Sequence, residues 1–287
     1  MANQIENLVK LVKDKSTSSI DSKCKVLSFV SGKGGVGKTN ISVSLAYILS
    51  NIFFKKVLLL DGDIGLGNIH ILLGLQPEKN LKKVLTGEPL KNIIQRSYNF
   101  DVILGFSGID TIDDLESINT ANLFLQLDEI IGNYDYILID NSAGLNRNTL
   151  GFSRVSTTTY VITTPEPTAL TDAYAFIKST YKLYGYKNFK IIVNMCRSQS
   201  EGYETFNRLQ FSCKNFLGIS IKLAGIVPAS KNIKKSLIKK KLIVKDYPTD
   251  PFSLELKKIA QLETGETLPP QKESFISKLL RAFKEGR

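Results

Sequence analysis

Ser31–Thr39, SGKGGVGKT, constrains this chain more than any other stretch. It satisfies G-x-x-x-x-G-K-T from Gly32 to Thr39. The apolar run VLSFVS (26–31) precedes it and the helical pattern TNISVSLAYILS (39–50) follows. Strand, glycine loop and helix, in that order, are the setting in which this motif holds phosphate. Without side chains, glycines let backbone N–H groups close around phosphate oxygens, and the helix N-terminus adds positive field. The expected cradle is Gly32, Lys33, Gly34, Gly35, Val36, Gly37, Lys38 and Thr39. Within it, Lys38 neutralises the β- and γ-phosphates and Thr39 offers a hydroxyl to Mg²⁺. A plain glycine turn would account for the glycines, but not for this lysine and threonine.

The rest of the chain alternates in the same way. KVLLLD (56–61), DYILID (135–140), YVITT (160–164), KIIVN (190–194) and KLAGIV (222–227) are short aliphatic runs. Several are continuously apolar, as strands covered on both faces are. Helical patterns lie between them: NTANLFLQLDEII (119–131), ALTDAYAFIKSTYKLY (169–184) and FSLELKKIAQL (252–262). The fold class expected is α/β, a P-loop NTPase with a mainly parallel central sheet and helices on both faces. Residues 1–23 form a separate amphipathic segment and polar tether, 24–264 the main domain, and 265–287 a linker and tail.

Other chemistries find little support. Cys24, Cys196 and Cys213 are scattered, without disulfide or metal-ligand spacing, and His70 is the single histidine. No run of 18 uncharged apolar residues and no secretory signal pattern occurs, so a cytoplasmic protein is expected. The net charge of +11 favours anionic partners. Much of it sits in 229–245, ASKNIKKSLIKKKLIVK, with seven lysines and no acid. That stretch reads as a solvated helix face, or as a contact for acidic lipid or DNA phosphates.

The second lysine, in Lys33-Gly34-Gly35-Val36-Gly37-Lys38-Thr39, resembles the deviant Walker A motif of the MinD/ParA family of dimerising ATPases. The resemblance implies that Lys33 reaches the nucleotide of a partner subunit, so that ATP holds a homodimer together. DGDIGLGN (61–68) resembles the family's first switch, which gives Asp63 the attacking water and places Asp61 near Mg²⁺. DNSAGL (140–145) resembles its second switch, which puts Asp140 in the Mg²⁺ shell. VNMC (193–196) and GIVP (225–228) resemble the segments around the base, implying that Asn194 bonds adenine and Pro228 lines its other side. Taken singly, an aspartate or asparagine at a strand end is a common turn residue.

The ends of the chain suggest a branch of that family. In ESFISKLLRAFKEGR (273–287), Phe275, Ile276, Leu279, Leu280 and Phe283 share one side of a helical projection, with Lys278, Arg281 and Lys284 opposite. Such a helix suits an anionic membrane surface, or docks on its own domain. Near the start, Gln4, Ile5 and Leu8 fall in NQIENLVK (3–10), which is similar in part to the DQAxxLR activator motif of the FlhG (FleN/YlxH) branch. Gln4 and Leu8 match it. Asn3, Ile5 and Val9 depart from it, and the alternative is a frayed amphipathic terminus.

The resemblance implies an ATPase controlling flagellar number or placement, peripheral on the inner face of the cell membrane. Its implied partners are an FlhF-type SRP GTPase, which the N-terminal helix stimulates, and flagellar switch proteins. A MinD-type division-site ATPase and a ParA-type DNA-binding partition ATPase are the alternatives.

Overall fold

Alternate residues of the apolar strands serve opposite faces of one sheet. The computed structural model describes residues 24–63, 67–105, 126–127 and 129–268. Eight strands run β1 (Lys25–Ser31), β2 (Val57–Gly62), β3 (Gln95–Ser97), β4 (Phe100–Ile103), β5 (Tyr136–Ala143), β6 (Thr158–Thr163), β7 (Phe189–Cys196) and β8 (Lys222–Pro228). Their order is β3-β4-β2-β5-β1-β6-β7-β8, and only the β3–β4 pair is antiparallel. The expected mainly parallel sheet is therefore present, with a short hairpin at one edge.

The pleat explains why these strands read as unbroken apolar runs. Leu27, Phe29, Val57 and Leu59 face one core, shared with α1 (Lys38–Asn51) and α10 (Pro251–Thr264). Leu58, Leu60, Ile137 and Ile139 face the other side, where α3 (Leu81–Leu85) and α4 (Leu90–Ile93) pack. Val30, Val161, Ile191 and Val193 meet α6 (Pro167–Tyr184) and α7 (Gln199–Leu217). Both faces are thus covered, as a parallel sheet requires. The other described helices are α2 (Ile69–Leu73), α5 (Arg147–Val155), α8 (Lys231–Ile238) and α9 (Ile243–Asp246).

The helical patterns read at 39–50, 169–184 and 252–262 correspond to α1, α6 and α10, each longer by one to three residues at its ends. Of 119–131, residues 119–125 and 128 lie outside the described residues, and the remainder is helical. Gln4, Ile5, Leu8 and the tail residues Phe275, Ile276, Leu279, Leu280 and Phe283 lie outside them too. No helix among the described residues is long and apolar enough to cross a membrane.

A polar knot closes the amino ends of the central strands. Glu263, in the last turn of α10, is 7% exposed and accepts hydrogen bonds from Tyr160 Oη and Lys190 Nζ, both at 2.6 Å. Lys25 Nζ lies 3.5 Å from its carboxylate and donates to its carbonyl at 2.8 Å. Tyr160 in turn stacks on Phe29, with ring centroids 5.2 Å apart. Burial and the neighbouring carboxylate push the Tyr160 hydroxyl well above its ordinary pKa, so it stays a donor. Glu263→Ala would strand the buried hydroxyl and leave the lysines unpaired. We expect it to lower stability by about 2–3 kcal/mol, read as a reduced urea midpoint at unchanged m-value, with Glu263→Gln losing less.

Candidate functional site

The carboxyl ends of the parallel strands gather nearly every residue the motifs single out. The glycine loop leaves β1 and enters α1 through Gly37, whose φ of 89° suits glycine. A Cβ there would also lie 2.4 Å from Asn194 Nδ2. Asn194 is 1% exposed, and its Nδ2 donates to the Val36 carbonyl at 2.7 Å. Its first contact is therefore with the phosphate loop, while Asn194 Oδ1 is buried and lacks a hydrogen-bond partner. That open acceptor is what an adenine amino group would need. Pro228, half-buried, ends β8 opposite Cys196 of β7, so both base-side candidates stand on neighbouring strands.

The two loop lysines have different environments. Lys38 is 8% exposed and its Nζ sits 3.0 Å from Asp140 Oδ1, itself on a residue 2% exposed. Lys33 is exposed and its Nζ donates to Glu166 Oε2 at 2.8 Å and Thr168 Oγ1 at 3.3 Å, at the start of α6. Its hydrogen bond and attraction to Glu166 raise its pKa, which keeps the cation charged. Thr39 occupies the second residue of α1, half-buried beside Lys38.

Asp140 stands within β5 rather than at its end, since the strand continues to Ala143. Asp61 of β2 is its register partner, so two buried carboxylates lie side by side. Burial first, then Asp140, raise the Asp61 pKa to about 7, although an amide of Asp63 donates to its Oδ1 at 3.1 Å. Asp63 is raised as well, chiefly by burial, and Lys38 opposes that rise.

One ammonium thus faces two buried carboxyl groups, and the pair beside a threonine hydroxyl offers the oxygen donors that a divalent cation takes, Asp61 losing its proton as the cation binds. Asp140, Asp61 and Thr39 are the residues that would hold Mg²⁺, in part through water. No cluster of three metal-ligating side chains occurs among the described residues. Mg²⁺ needs only one or two carboxylates when substrate phosphates complete its shell.

Several supports were not evident from motif reading. Gly67 approaches Asp61 so closely that a Cβ would lie 2.2 Å from Asp61 Oδ2. Asn141 is fully buried, and its Nδ2 reaches Ser28 Oγ at 2.8 Å and the Phe29 carbonyl at 2.9 Å, tying β5 to β1 beneath the loop. The Gly144 amide donates to the Ser31 carbonyl at 2.8 Å and pins the second switch segment to the start of the cradle. Glu166, which holds Lys33, had only its position before a helix-starting proline as a signal.

Asp61 yields a prediction with a defined sign. With its folded pKa near 7 against an ordinary 3.8, the native state keeps a proton that the unfolded chain releases. That contribution to stability is present at low pH and is lost as pH rises from about 4 to about 7. Asp61→Asn should therefore raise the stability of nucleotide-free protein by about 1–3 kcal/mol at neutral pH and by much less at pH 5. Thermal melts at the two pH values check this, and Mg²⁺-dependent nucleotide binding should weaken in the same variant.

The chain is similar to known proteins in sequence and in fold. Residues 27–243 match the family described as the CobQ/CobB/MinD/ParA nucleotide binding domain. The chain is 31% identical over 263 residues to the antiactivator FleN of Pseudomonas aeruginosa, covering 90% of this chain and 94% of that protein. It is 32% identical over 290 residues to the flagellum site-determining protein YlxH of Helicobacter pylori, with 98% of each covered. The septum site-determining protein MinD of Pyrococcus horikoshii, solved with Mg-ADP, superposes with a TM-score of 0.69 at 22% identity, over 88% of this chain and 98% of that one. With this fold, this site and these relatives, the chain belongs to the CobQ/CobB/MinD/ParA nucleotide-binding family, among the MinD/ParA-type ATPases that include FleN and YlxH.

Proposed function

We propose that this ATPase is an ATP-driven dimerisation switch on a membrane surface that sets the number or placement of flagella. The observation that carries the reading is the sorting of the two loop lysines. Lys38 is buried against Asp140, inside its own subunit's cradle, whereas Lys33 is at the surface on an exposed glutamate. An exposed cation beside the phosphate loop can reach a second subunit's nucleotide, where it stabilises transition-state charge as an arginine finger does.

In this reading ATP binds as its Mg²⁺ complex, with Gly32–Thr39 around the phosphates. Mg²⁺, when bound, neutralises the β- and γ-phosphates. Lys38 and the loop amides bind the same oxygens, and Asp61, Asp140 and Thr39 hold the metal and its waters. Asp63 orients or deprotonates the attacking water, and Asn194 and Pro228 hold the base. The relative YlxH is by name flagellum site-determining, which supports the flagellar role. Gln4, Ile5 and Leu8 contact an FlhF-type GTPase, and the tail with Phe275, Ile276, Leu279, Leu280 and Phe283 enters an anionic membrane. Two weakly binding tails in one dimer bind by avidity.

Light scattering with ATP and Mg²⁺ should find a dimer for the native chain and monomers for Lys33→Ala and Lys38→Ala. Asp63→Ala should stay dimeric while its turnover falls by roughly 100-fold or more. A dimer that persists in Lys38→Ala would sink the mechanism.

For the cellular role, the decisive measurement is GTP hydrolysis by the FlhF-type GTPase in the presence of this protein. Stimulation should appear with the native chain and disappear with Gln4→Ala/Leu8→Ser. With no stimulation by the native chain, a division-site or partition role replaces the flagellar one.

A further inference from the structure

The lysine-rich stretch begins directly beside the nucleotide site. Pro228 ends β8, and Ser230 caps α8 by accepting from the Asn232 amide at 3.1 Å. Ser230 Oγ and Asn232 Nδ2 both donate to Asp250 Oδ2 at 2.8 Å, and Asp250 Oδ1 accepts from the Phe252 amide at 2.9 Å. One carboxylate therefore fixes the starts of α8 and α10 together. This sets the rotation of α8: Ser236 is buried and Ile233 packs against the core. At 3.6 residues per turn, Lys231, Lys234, Lys235 and Ile238 then share one arc of about 100° on the opposite side.

That outer arc is not a purely polar face. Ile238, on that arc, is 75% exposed and Leu237, beside the arc between Ile233 and Lys234, is 39% exposed, with Lys239, Lys240 and Lys241 following directly. Among the described residues the stretch makes one ion pair, Lys241 with Asp246 at 3.8 Å. Ile238 thus stands in water among lysines, with Leu237 partly exposed next to it. DNA phosphates would satisfy the lysines and leave Ile238 without a partner. An anionic bilayer satisfies both, because headgroups take the ammonium groups and the interfacial zone takes aliphatic side chains.

We propose that α8 and the lysines after it form a second membrane contact, which binds anionic lipid headgroups and seats Ile238 and Leu237 in the interface. The proposal rests on the membrane reading above and adds a contact on the folded domain, apart from the tail.

The test uses the full chain with ATP and Mg²⁺ in vesicle flotation, on phosphatidylcholine alone and on phosphatidylcholine mixed with phosphatidylglycerol. Lys234→Gln/Lys235→Gln/Lys239→Gln/Lys240→Gln should bind the anionic vesicles at least roughly 30-fold more weakly, since each engaged lysine counts for several-fold. Ile238→Ser should lose about 5-fold on the same vesicles. ATP hydrolysis without vesicles should be unchanged in both, which confirms that they fold.

Phe275→Ser/Leu279→Ser/Phe283→Ser separates this contact from the tail. If only that variant loses binding, the membrane reading stands and the α8 contact is overturned. If the native chain floats with neither vesicle, both fall together. Loss with the lysine variant but not with Ile238→Ser overturns the seating of the apolar pair. Loss of duplex DNA retention by the lysine variant, with flotation intact, assigns the stretch to DNA instead.

Discussion

The buried ion pair between Lys38 and Asp140 organises the rest of the site. It joins the first turn of α1 to β5, while Asn194 holds the phosphate loop at the Val36 carbonyl and Asn141 and Gly144 tie β5 and the segment after it to β1 beneath that loop. A buried pair of this kind costs desolvation, which its geometry must offset. Here the neighbouring strand places Asp61 beside it without a second cation, and burial raises that carboxyl to about 7. The carboxyl end of the sheet therefore holds a carboxyl that sheds its proton at neutral pH only when further positive charge arrives beside it. A bare triphosphate would favour keeping that proton, whereas one that brings a divalent cation favours releasing it. Charge balance thus favours the metal complex of the nucleotide and requires no further acid in the site.

The fold was largely legible because its central strands are buried on both faces, and such strands announce themselves as aliphatic runs. What stayed hidden lacked a periodic signal. Helix α7 buries Gly202, Thr205, Leu209 and Cys213 and exposes Tyr203, Phe211 and Phe216, so three of its four aromatic residues point the wrong way for pattern reading. Gly202 is there because a Cβ would lie 2.2 Å from Ile226 Cγ2. The β3–β4 hairpin has strands of three and four residues, too short to alternate visibly, and turns through Tyr98 at a φ of 52°. In the site, motif positions were readable, but the braces around them were not. Asn141 and Glu263 act across 113 and 103 residues of sequence, on partners that no local spacing reveals.

The two ends of the sheet are specialised in opposite ways. At the carboxyl end, polar groups are incompletely matched: Asn194 Oδ1, Thr164 Oγ1 and Ser31 Oγ are buried without partners. At the amino end, Glu263 satisfies a tyrosine and two lysines and closes α10 against the strands. Buried polar groups are normally paired, so the concentration of exceptions at one end marks the place where a ligand completes the structure. The saturated end holds α10 at its last turn, through Glu263.

The difference between Lys33 and Lys38 bears on how a single γ-phosphate can govern assembly. A lysine that must leave its own subunit to act in another has to be inexpensive to release. Lys33 meets this condition, because exposed ion pairs such as the one with Glu166 are screened and contribute little. Lys38 does not meet it, because separating it from Asp140 leaves a buried carboxylate unpaired unless another cation takes its place. In the proposed mechanism Lys38 therefore turns from Asp140 to the phosphates only when the metal–nucleotide complex is present, and Lys33 makes its intersubunit contact only when a second subunit presents one. Dimerisation then reports on nucleotide occupancy of both subunits, as a switch on a surface requires.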